Sequence, residues 1–232
     1  RLAMRSFQQR NTARRSRRTA SHHYAIGNDI YAEFLDEDWQ YSCAYFAEPG
    51  ITLEEAQLRK KRRIASKMLL EPGKTVLDIG CGWGGMGLYL ADNAGVDVTG
   101  ISLADRQVER ATMRAAGRSD VRFKIQDYRA VTDQFDLIVS VGMFEHVGIG
   151  HFAEYFAACR RLLADDGVML LHSIGRTGSP GLTPAFMEKY IFPGGYAPSL
   201  YEVLTVIEEA GHFVTAIENR RLHYAETLAE RR

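Results

Sequence analysis

Short apolar runs alternate with longer amphipathic stretches from residue 75 to about residue 174. The apolar runs predict strands, and the stretches between them repeat apolar residues at helical spacing. The predicted strands are Thr75–Ile79, Asp97–Ile101, Val121–Gln126, Phe135–Val141 and Val168–Ile174, and the predicted helices are Gly85–Asn93, Ala104–Ala116 and His151–Leu163. This alternation predicts an α/β fold with a mostly parallel sheet and helices on both faces.

The pattern differs on either side of this alternating region. An amphipathic helix that begins after Thr52 is ended by Pro72-Gly73. Residues 175–198 are rich in glycine and proline and predict an insertion over the sheet, and long insertions of this kind are usually functional. A helix at Ser199–Ala210 and a last strand at Phe213–Asn219 complete the predicted elements.

The first 46 residues have a composition of their own. Residues 1–20 are rich in arginine and predict a basic lead-in segment, either a solvated helix or a face that meets anionic lipid head groups. Residues 22–46 are dense in aromatic side chains and predict short helices and loops that form a lid or wall; the aromatic residues are Tyr24, Tyr31, Phe34, Trp39, Tyr41, Tyr45 and Phe46.

Composition narrows the class of protein. The formal net charge of the 232 residues is zero, which gives no global reason to expect nucleic-acid binding. Seven arginines precede the first acidic residue, so the chain is a basic arm on an acidic body. Three widely spaced cysteines without a CxxC pair argue against a disulfide framework or a structural zinc site, and predict no metal. No apolar run approaches the ~18 residues that span a bilayer.

The turn after the first strand is the strongest chemical signal. It follows Asp78 and contains Gly80, Gly82 and Gly84, which allow the backbone to turn tightly and to approach a ligand closely. The Asp78 carboxylate stands where the ammonium group of a ligand can be neutralised. The alternatives are an ordinary glycine-rich turn and a dinucleotide site, and both rank below a cofactor that carries an amino acid.

The ends of the next two strands refine this interpretation. The second strand lacks the terminal acid that usually binds ribose hydroxyls and continues as Ser102-Leu103, which weakens the nicotinamide alternative. Gln107 can offer its amide to the ribose instead, and Ser102 can donate to it. After the third strand, Asp127 can accept from an adenine amino group, and Tyr128 can stack on the ring or simply pack in the core.

Six strings together resemble the cyclopropane-fatty-acyl-phospholipid synthases and mycolic acid cyclopropane synthases, a family of class I methyltransferases that depend on S-adenosylmethionine. The resemblance runs from about residue 22 to residue 228. Its strings are His23-Tyr24, Gly27-Asn28-Asp29, Gln40–Phe46, Val76–Gly85, Ser140–Gly148 and Lys189–Pro193. It implies a Rossmann-like methyltransferase fold for residues 21–232, the catalytic domain, and leaves open whether this domain is truncated at either end.

The resemblance also implies chemistry and site residues. Members transfer the methyl group of S-adenosylmethionine to a cis double bond of a lipid acyl chain, and bound bicarbonate removes a proton so that a cyclopropane ring closes. The implied bicarbonate ligands are Cys43, Glu145, His172, the backbone of Ile174, and Tyr224. The implied cofactor contacts are Tyr41, Ser42, Gly80, Gly82, Ser102, Leu103, Gln107, Asp127 and Tyr128.

Alternatives remain at this point. A methyl-branched product, a small soluble acceptor and a catalytically silent lipid-binding protein are each compatible with parts of the pattern. Taken singly, Cys43, Glu145 and His172 each suit a structural role. We expect a cytoplasmic protein at the inner face of the membrane, with unsaturated phospholipid and an anionic surface as partners, and leave open whether it forms a homodimer.

Overall fold

The computed structural model describes residues 28–231, so the arginine-rich stretch at residues 1–20 lies outside the described residues. Five strands form one sheet in the order β3-β2-β1-β4-β5, and all four pairings are parallel. The strands are β1 (Thr75–Ile79), β2 (Asp97–Ser102), β3 (Val121–Ile125), β4 (Phe135–Val141) and β5 (Leu163–His172). The helices are α1 (Asn28–Phe34), α2 (Leu53–Ala65), α3 (Gly85–Ala94), α4 (Asp105–Arg114), α5 (Phe152–Leu162), α6 (Leu200–Glu209) and α7 (Arg221–Glu230).

Helices cover both faces of the sheet, as the alternation predicts. Successive strand residues point to opposite faces, so Val76 and Leu137 enter the core beneath α2, α3 and α4. Their neighbours Leu77 and Ile138 enter a second core that contains α5 and part of α6. The α/β fold predicted from the sequence is therefore confirmed.

Two helices begin at residues that suit the start of a helix. The Thr52 hydroxyl accepts a hydrogen bond from the backbone N–H of Glu55 at the start of α2. At the start of α6, Ser199 and Glu202 exchange side chain to backbone hydrogen bonds, which forms a capping box. These caps place α2 and α6 within one residue of the predicted starts.

The predicted break before the fifth strand is wrong. β5 begins at Leu163, pairs there with Phe135, and resumes its pairing at Val168 opposite Leu137. Residues 164–167, which include the polar Asp165-Asp166-Gly167, bulge within the strand. The Asp165-Asp166-Gly167 run is typical of a turn, and the sequence does not show that β4 pairs with residues on both sides of it.

The predicted strand at Phe213–Asn219 is also wrong. This segment forms no ladder with another described strand, and Phe213 is 90% exposed. Instead, the Glu218 carboxylate pairs with Arg63 of α2 and with Lys67 beyond it. Alternation of apolar residues indicates a strand only where a neighbouring strand can pair with it, and ion pairs to α2 hold this segment apart from the sheet.

Residues 175–198 carry little regular structure, as expected of an insertion, apart from a π-helical turn at Met187–Ile191. From residue 28 onward, the aromatic N-terminal region consists of α1 and the loop that follows it. Within residues 28–231, no helix combines the length and apolar character needed to cross a membrane.

Candidate active site

The turn after β1 lies at the carboxyl edge of the sheet, where parallel α/β sheets bind ligands. The N–H groups of Gly80 and Cys81 both donate to the Ile101 carbonyl of β2, at 2.9 and 3.1 Å. Gly80 has a φ of +86°, and a Cβ there would lie 2.5 Å from Met143 Cβ. Gly82, at φ +54°, would direct a Cβ into open space. The turn is therefore closed against the protein at Gly80 and open at Gly82, as a ligand cradle requires.

Asp78 is a buried carboxyl group, and one of its oxygen atoms can still accept a hydrogen bond from a ligand. It is 1% exposed, and its Oδ2 atom has no hydrogen-bond partner within residues 28–231. Burial raises the pKa of Asp78 to about 7. An approaching cation would both satisfy the free oxygen and favour the ionised form, which fits the ammonium group of an amino-acid cofactor.

The end of β2 joins two predicted cofactor residues. The Ser102 hydroxyl donates to Gln107 Oε1 at 3.2 Å and accepts from the backbone N–H of Ala104 at 3.2 Å. Gln107 is buried at the start of α4, while Leu103 connects the two. Because its oxygen faces Ser102, the Gln107 amide presents its N–H₂ group as a donor, which suits ribose hydroxyls.

After β3, Asp127 and Tyr128 lie in a short turn held by Arg129. The Arg129 guanidinium donates to both Asp127 oxygens, at 2.9 and 2.7 Å. Although burial opposes ionisation, these hydrogen bonds lower the pKa of Asp127. Tyr128 packs edge-on against Tyr155, with ring centroids 5.2 Å apart, in the α5 core. Core packing, one of the two roles considered for Tyr128, is therefore present.

A second group of predicted residues lies where β4 and β5 end. Val141 pairs with His172, so Glu145, four residues further on, lies beside the segment that leaves β5. Glu145 Oε1 accepts a hydrogen bond from the backbone N–H of Ile174 at 2.6 Å. Glu145 is 2% exposed, and burial raises its pKa to about 7 against the opposing bond from Ile174.

Two buried polar atoms in this group have no hydrogen-bond partner among residues 28–231: Glu145 Oε2 and His172 Nδ1. Burial lowers the pKa of His172 to about 3, and the positive charges of Lys60 and Arg220 add to the effect. His172 is therefore a neutral imidazole, with one donor and one acceptor nitrogen. A small polar guest with a donor and several acceptors, such as bicarbonate, fits these atoms.

Cys43 and Tyr224 complete the predicted set. Burial raises the pKa of the Cys43 thiol, so this side chain is a neutral thiol. Burial also raises the pKa of Tyr224. The positive charge of Arg231 lowers this pKa, and negative charge on Tyr41, Glu145 or Cys43 raises it. α7, which carries Tyr224, docks on the segment that contains Cys43, because the Thr227 hydroxyl accepts a hydrogen bond from the backbone N–H of Ala44.

The segment that carries Tyr41, Ser42 and Cys43 is held from two sides. The Thr227 hydroxyl of α7 accepts from the backbone N–H of Ala44 at 3.0 Å. The Tyr41 ring contacts Tyr31 and Phe34 edge-on, with centroids 5.4 and 6.0 Å apart. From residue 28 onward, the aromatic N-terminal region therefore packs its rings against the segment that carries Tyr41, Ser42 and Cys43.

Three residues of this framework were missed by the sequence analysis: Gln57, Lys60 and Thr227. Gln57 Nε2 donates to the carbonyls of Gln40 and Ser42, at 3.1 Å each. A signal was available, because Gln57 and Lys60 occupy the same helical face as the buried Leu53 and Ile64. Polar residues on an apolar helical face need buried partners. Thr227 gave no comparable signal.

The histidines and cysteines left without a catalytic role make local contacts. His151 lies 2.8 Å from the Glu154 carboxylate, and His212 Nε2 lies 3.1 Å from the Phe156 carbonyl. His146 stacks on Phe192 at 4.3 Å. Cys81 and Cys159 are buried and form no disulfide.

A family model described as mycolic acid cyclopropane synthetase matches residues 11–232. The chain is 45% identical over 192 residues to the cyclopropane-fatty-acyl-phospholipid synthase of Escherichia coli K12, a match that covers 83% of this chain and 49% of that protein. It is 41% identical over 219 residues to a probable fatty acid methyltransferase of Pseudomonas putida, covering 90% of this chain and 55% of that one. The chain thus spans about half the length of these relatives.

A comparison of the fold with solved structures also finds a cyclopropane synthase. A crystal structure of the mycolic acid cyclopropane synthase CmaA1, complexed with SAH and CTAB, superposes with a TM-score of 0.87 at 33% identity. The superposition covers 93% of this chain and 81% of that one. Together with the five parallel strands, this establishes a class I methyltransferase fold.

Proposed function

The chain belongs to the mycolic acid cyclopropane synthetase family, and we propose that it uses S-adenosylmethionine to convert a cis double bond of an unsaturated phospholipid acyl chain into a cyclopropane ring. Residues 21–232 serve as the catalytic domain. The observation that carries the proposal is a pair of buried atoms at the ends of β4 and β5, Glu145 Oε2 and His172 Nδ1, which have no hydrogen-bond partner among the described residues. A methyltransferase that acts on an exposed heteroatom has no need of a second polar guest there.

The cofactor side of the site is built from the turn after β1 and its neighbours. S-adenosylmethionine supplies a methyl group on a sulfonium ion. Asp78 offers a free carboxylate oxygen to the amino group, while Gly82 leaves room for the cofactor. Gln107 donates to the ribose, and Asp127 accepts from the adenine amino group next to Tyr128. The SAH in the CmaA1 structure supports this cofactor.

The acceptor side must protect a reactive cation. The alkene π electrons form a bond to the methyl carbon while the C–S bond breaks toward sulfur, which leaves positive charge on the acyl chain. The Tyr31, Phe34 and Tyr41 rings form an apolar wall whose faces stabilise nearby positive charge and exclude water.

Ring closure then requires a base beside the cation. In the proposed site, Cys43, Glu145, His172, the Ile174 backbone and Tyr224 would hold bicarbonate, which would supply that base. Loss of a proton from the transferred methyl carbon leaves its C–H electron pair to form the third ring bond. Glu145 Oε2 accepts a hydrogen bond from the guest, and the neutral His172 ring and the Tyr224 hydroxyl donate to it.

A methyl-branched acyl product is the second candidate. The similarity to the probable fatty acid methyltransferase of Pseudomonas putida favours it. The two products differ only in which carbon loses the proton. Loss from the methyl carbon closes a ring, while loss from the acyl chain leaves a branched alkene of the same mass.

The proposal is tested with isotope-labelled S-adenosylmethionine and vesicles of monounsaturated phosphatidylglycerol. Vesicles of the saturated phospholipid with the same head group are the matched control. We expect the unsaturated acyl chains to gain one CH₂ group by mass spectrometry and to lose their vinyl protons by NMR, and the saturated chains to remain unchanged.

The other outcomes decide between the alternatives. A CH₂ gain with a retained vinyl proton assigns the methyl-branching reaction. Label in a water-soluble product with unchanged acyl chains assigns a small acceptor. Binding of S-adenosylmethionine without any transfer assigns a catalytically silent protein.

We also propose that the arginine-rich residues 1–20 bring the protein to anionic membrane surfaces. Each basic side chain near such a surface contributes ~1 kcal/mol, and salt screens this attraction. Sedimentation with vesicles should therefore fall as salt is added. Binding that is indifferent to salt contradicts the electrostatic argument.

A further inference from the structure

Lys60 is a fully buried lysine that the proposed reaction does not use. It lies on α2 at 0% exposure, on the helical face that also buries Ala56 and Ile64. Burying an ammonium group is costly unless it is paired and hydrogen-bonded. The hydrogen-bond partners of Lys60 should therefore explain why a lysine is buried at this position.

Those partners belong to the segment beside the site. Lys60 Nζ donates to Gln40 Oε1 and to Ser42 Oγ, both at 2.7 Å. Burial lowers the pKa of Lys60 to about 7, against the opposing charges of Asp36 and Asp38. Lys60 Nζ therefore clamps two side chains of one short loop, and its hydrogen bonds are strongest when the amine is ionised, because charge-assisted hydrogen bonds are stronger than neutral ones.

The clamped loop touches the carboxyl edge of the sheet. A Cβ placed on Gly142, the residue after β4, would lie 3.5 Å from Ser42 Cβ. The Gly142 N–H in turn donates to the His172 carbonyl at 2.9 Å. Ser42 therefore lies against the point where β4 and β5 end, beside the start of the segment that leads from β4 to Glu145.

The fold gives Ser42 no other side-chain hydrogen bond among the described contacts. Gln57 and Arg231 hold only its carbonyl oxygen, at 3.1 and 2.8 Å. The backbone of the loop is therefore fixed independently of Lys60, while the direction of the Ser42 hydroxyl depends on it.

We propose that Lys60 is a positioning residue: it holds the Ser42 hydroxyl in the orientation in which Ser42 meets the cofactor. The inference rests on the proposed cofactor site and on the contact between Ser42 and the cofactor that the family resemblance implies. By accepting from Lys60, the Ser42 hydroxyl keeps its own hydrogen free to donate to the cofactor. Lys60 does not touch the reacting atoms and acts only through Ser42.

A double-mutant cycle tests this coupling, with S-adenosylhomocysteine as the probe and calorimetry as the measurement. We expect Lys60→Met to weaken binding about tenfold in the Ser42 protein and less than about threefold in the Ser42→Ala protein. Arg59→Met removes an exposed cation of the same helix that faces Glu48 and Glu55, and should leave the affinity unchanged.

Two results would overturn the proposal. Losses that multiply in the double variant mean that Lys60 does not act through Ser42. A lower melting temperature of Lys60→Met with an unchanged dissociation constant means that Lys60 is only structural. If Lys60→Met does not fold, Ser42→Ala alone decides: affinity equal to that of the unmodified protein contradicts the proposal, and a loss of about tenfold supports it.

The probe requires no lipid, so a failure of the acyl-chain proposal and a failure of the Lys60 proposal are distinguishable. If S-adenosylhomocysteine binds but no acyl chain is modified, the coupling can still be measured. If S-adenosylhomocysteine does not bind to the unmodified protein, the proposed cofactor site is wrong, and so is the proposed role of Lys60.

Discussion

The cofactor side and the acceptor side of the site are built in different ways. The cofactor turn from Asp78 to Gly84 is one contiguous segment between β1 and α3, braced by two backbone hydrogen bonds to Ile101. The acceptor side joins Cys43, Glu145, His172 and Tyr224, which are separated by up to about 180 residues in the chain. The first region follows from local geometry, and the second depends on how distant elements dock.

This difference predicts which substitutions should affect each region. Strain or bulk in the turn should affect cofactor binding directly, since few contacts from elsewhere define it. The acceptor side should respond to changes in α7, whose Thr227 holds the backbone beside Cys43. Both regions nevertheless share a buried carboxyl group with a raised pKa, Asp78 on one side and Glu145 on the other.

The largest expected effect is the loss of turnover in Glu145→Gln. The amide cannot act as the anionic acceptor beside the proposed base, and acid–base groups of this kind contribute ~10²–10⁴-fold. Turnover on unsaturated vesicles should fall at least about 100-fold, while the affinity for S-adenosylhomocysteine changes less than about threefold. Glu154→Gln, an exposed carboxyl paired with His151, is the control. Equal losses of turnover and affinity would place Glu145 on the cofactor side.

The pH dependence of stability is the second test. Burial raises the pKa of Glu145 to about 7 and that of Asp78 also to about 7. Below the ordinary pKa of each group the stability it contributes is fully present, and it is lost as pH rises through about 7. Between pH 5 and pH 7 each group should cost roughly 2–3 kcal/mol, because this interval spans about two pH units and one unit corresponds to about 1.4 kcal/mol.

Urea unfolding at pH 5 and pH 7.5 measures this dependence. The free energy of unfolding should fall less between these pH values in Glu145→Gln and in Asp78→Asn than in the unmodified protein. The same fall in all three proteins would mean that neither carboxyl group holds its proton in the folded state.

The docking of α7 is the third test. Thr227→Val keeps the shape of the side chain but leaves the buried N–H of Ala44 without its acceptor, which should cost roughly 1–3 kcal/mol of unfolding free energy. Thr205→Val on α6 removes an exposed hydroxyl and should cost less than about 0.5 kcal/mol. Equal costs would show that the Thr227 hydroxyl does not secure the segment beside Cys43.

The smallest expected effect is that of Gly82→Ala, which distinguishes backbone strain in the cofactor turn from a clash with the bound cofactor. Gly82→Ala places a methyl group in the open space of the cradle and should weaken S-adenosylhomocysteine binding about tenfold, with about 1 kcal/mol of destabilisation from the positive φ. Gly117→Ala has a positive φ and open surroundings outside the turn, so it should show the strain alone. Unchanged binding in Gly82→Ala contradicts the cradle.

Much of the framework could be predicted from the sequence. The bounds of β1 and β4 match the prediction residue for residue, and β2 and β3 differ by one residue at the carboxyl end. β1, β2 and β4 are largely buried between helices, so composition and length alone identify them, whereas β3 lies at the edge of the sheet and exposes Arg122 and Lys124. The pairing of Ser102 with Gln107 was also within reach, because the two residues lie five positions apart across one turn.

The errors share a physical cause. Residues 164–167 bulge because β4 pairs with residues on both sides of them, and residues 213–219 stay outside the sheet while Glu218 pairs with the α2 region. In both places a local polar or alternating pattern was interpreted without the partner that decides its meaning.

The sequence by itself therefore determined the α/β alternation, the glycine turn and the residue types that the chemistry requires, because each of these is a property of neighbouring residues. Only the tertiary structure decided that the Ile174 N–H meets Glu145, that Lys60 meets Ser42, and that the Glu145 and His172 atoms are buried without partners. Hydrogen bonds and burial of this kind arise between segments far apart in the chain, and no local pattern encodes which of them will meet.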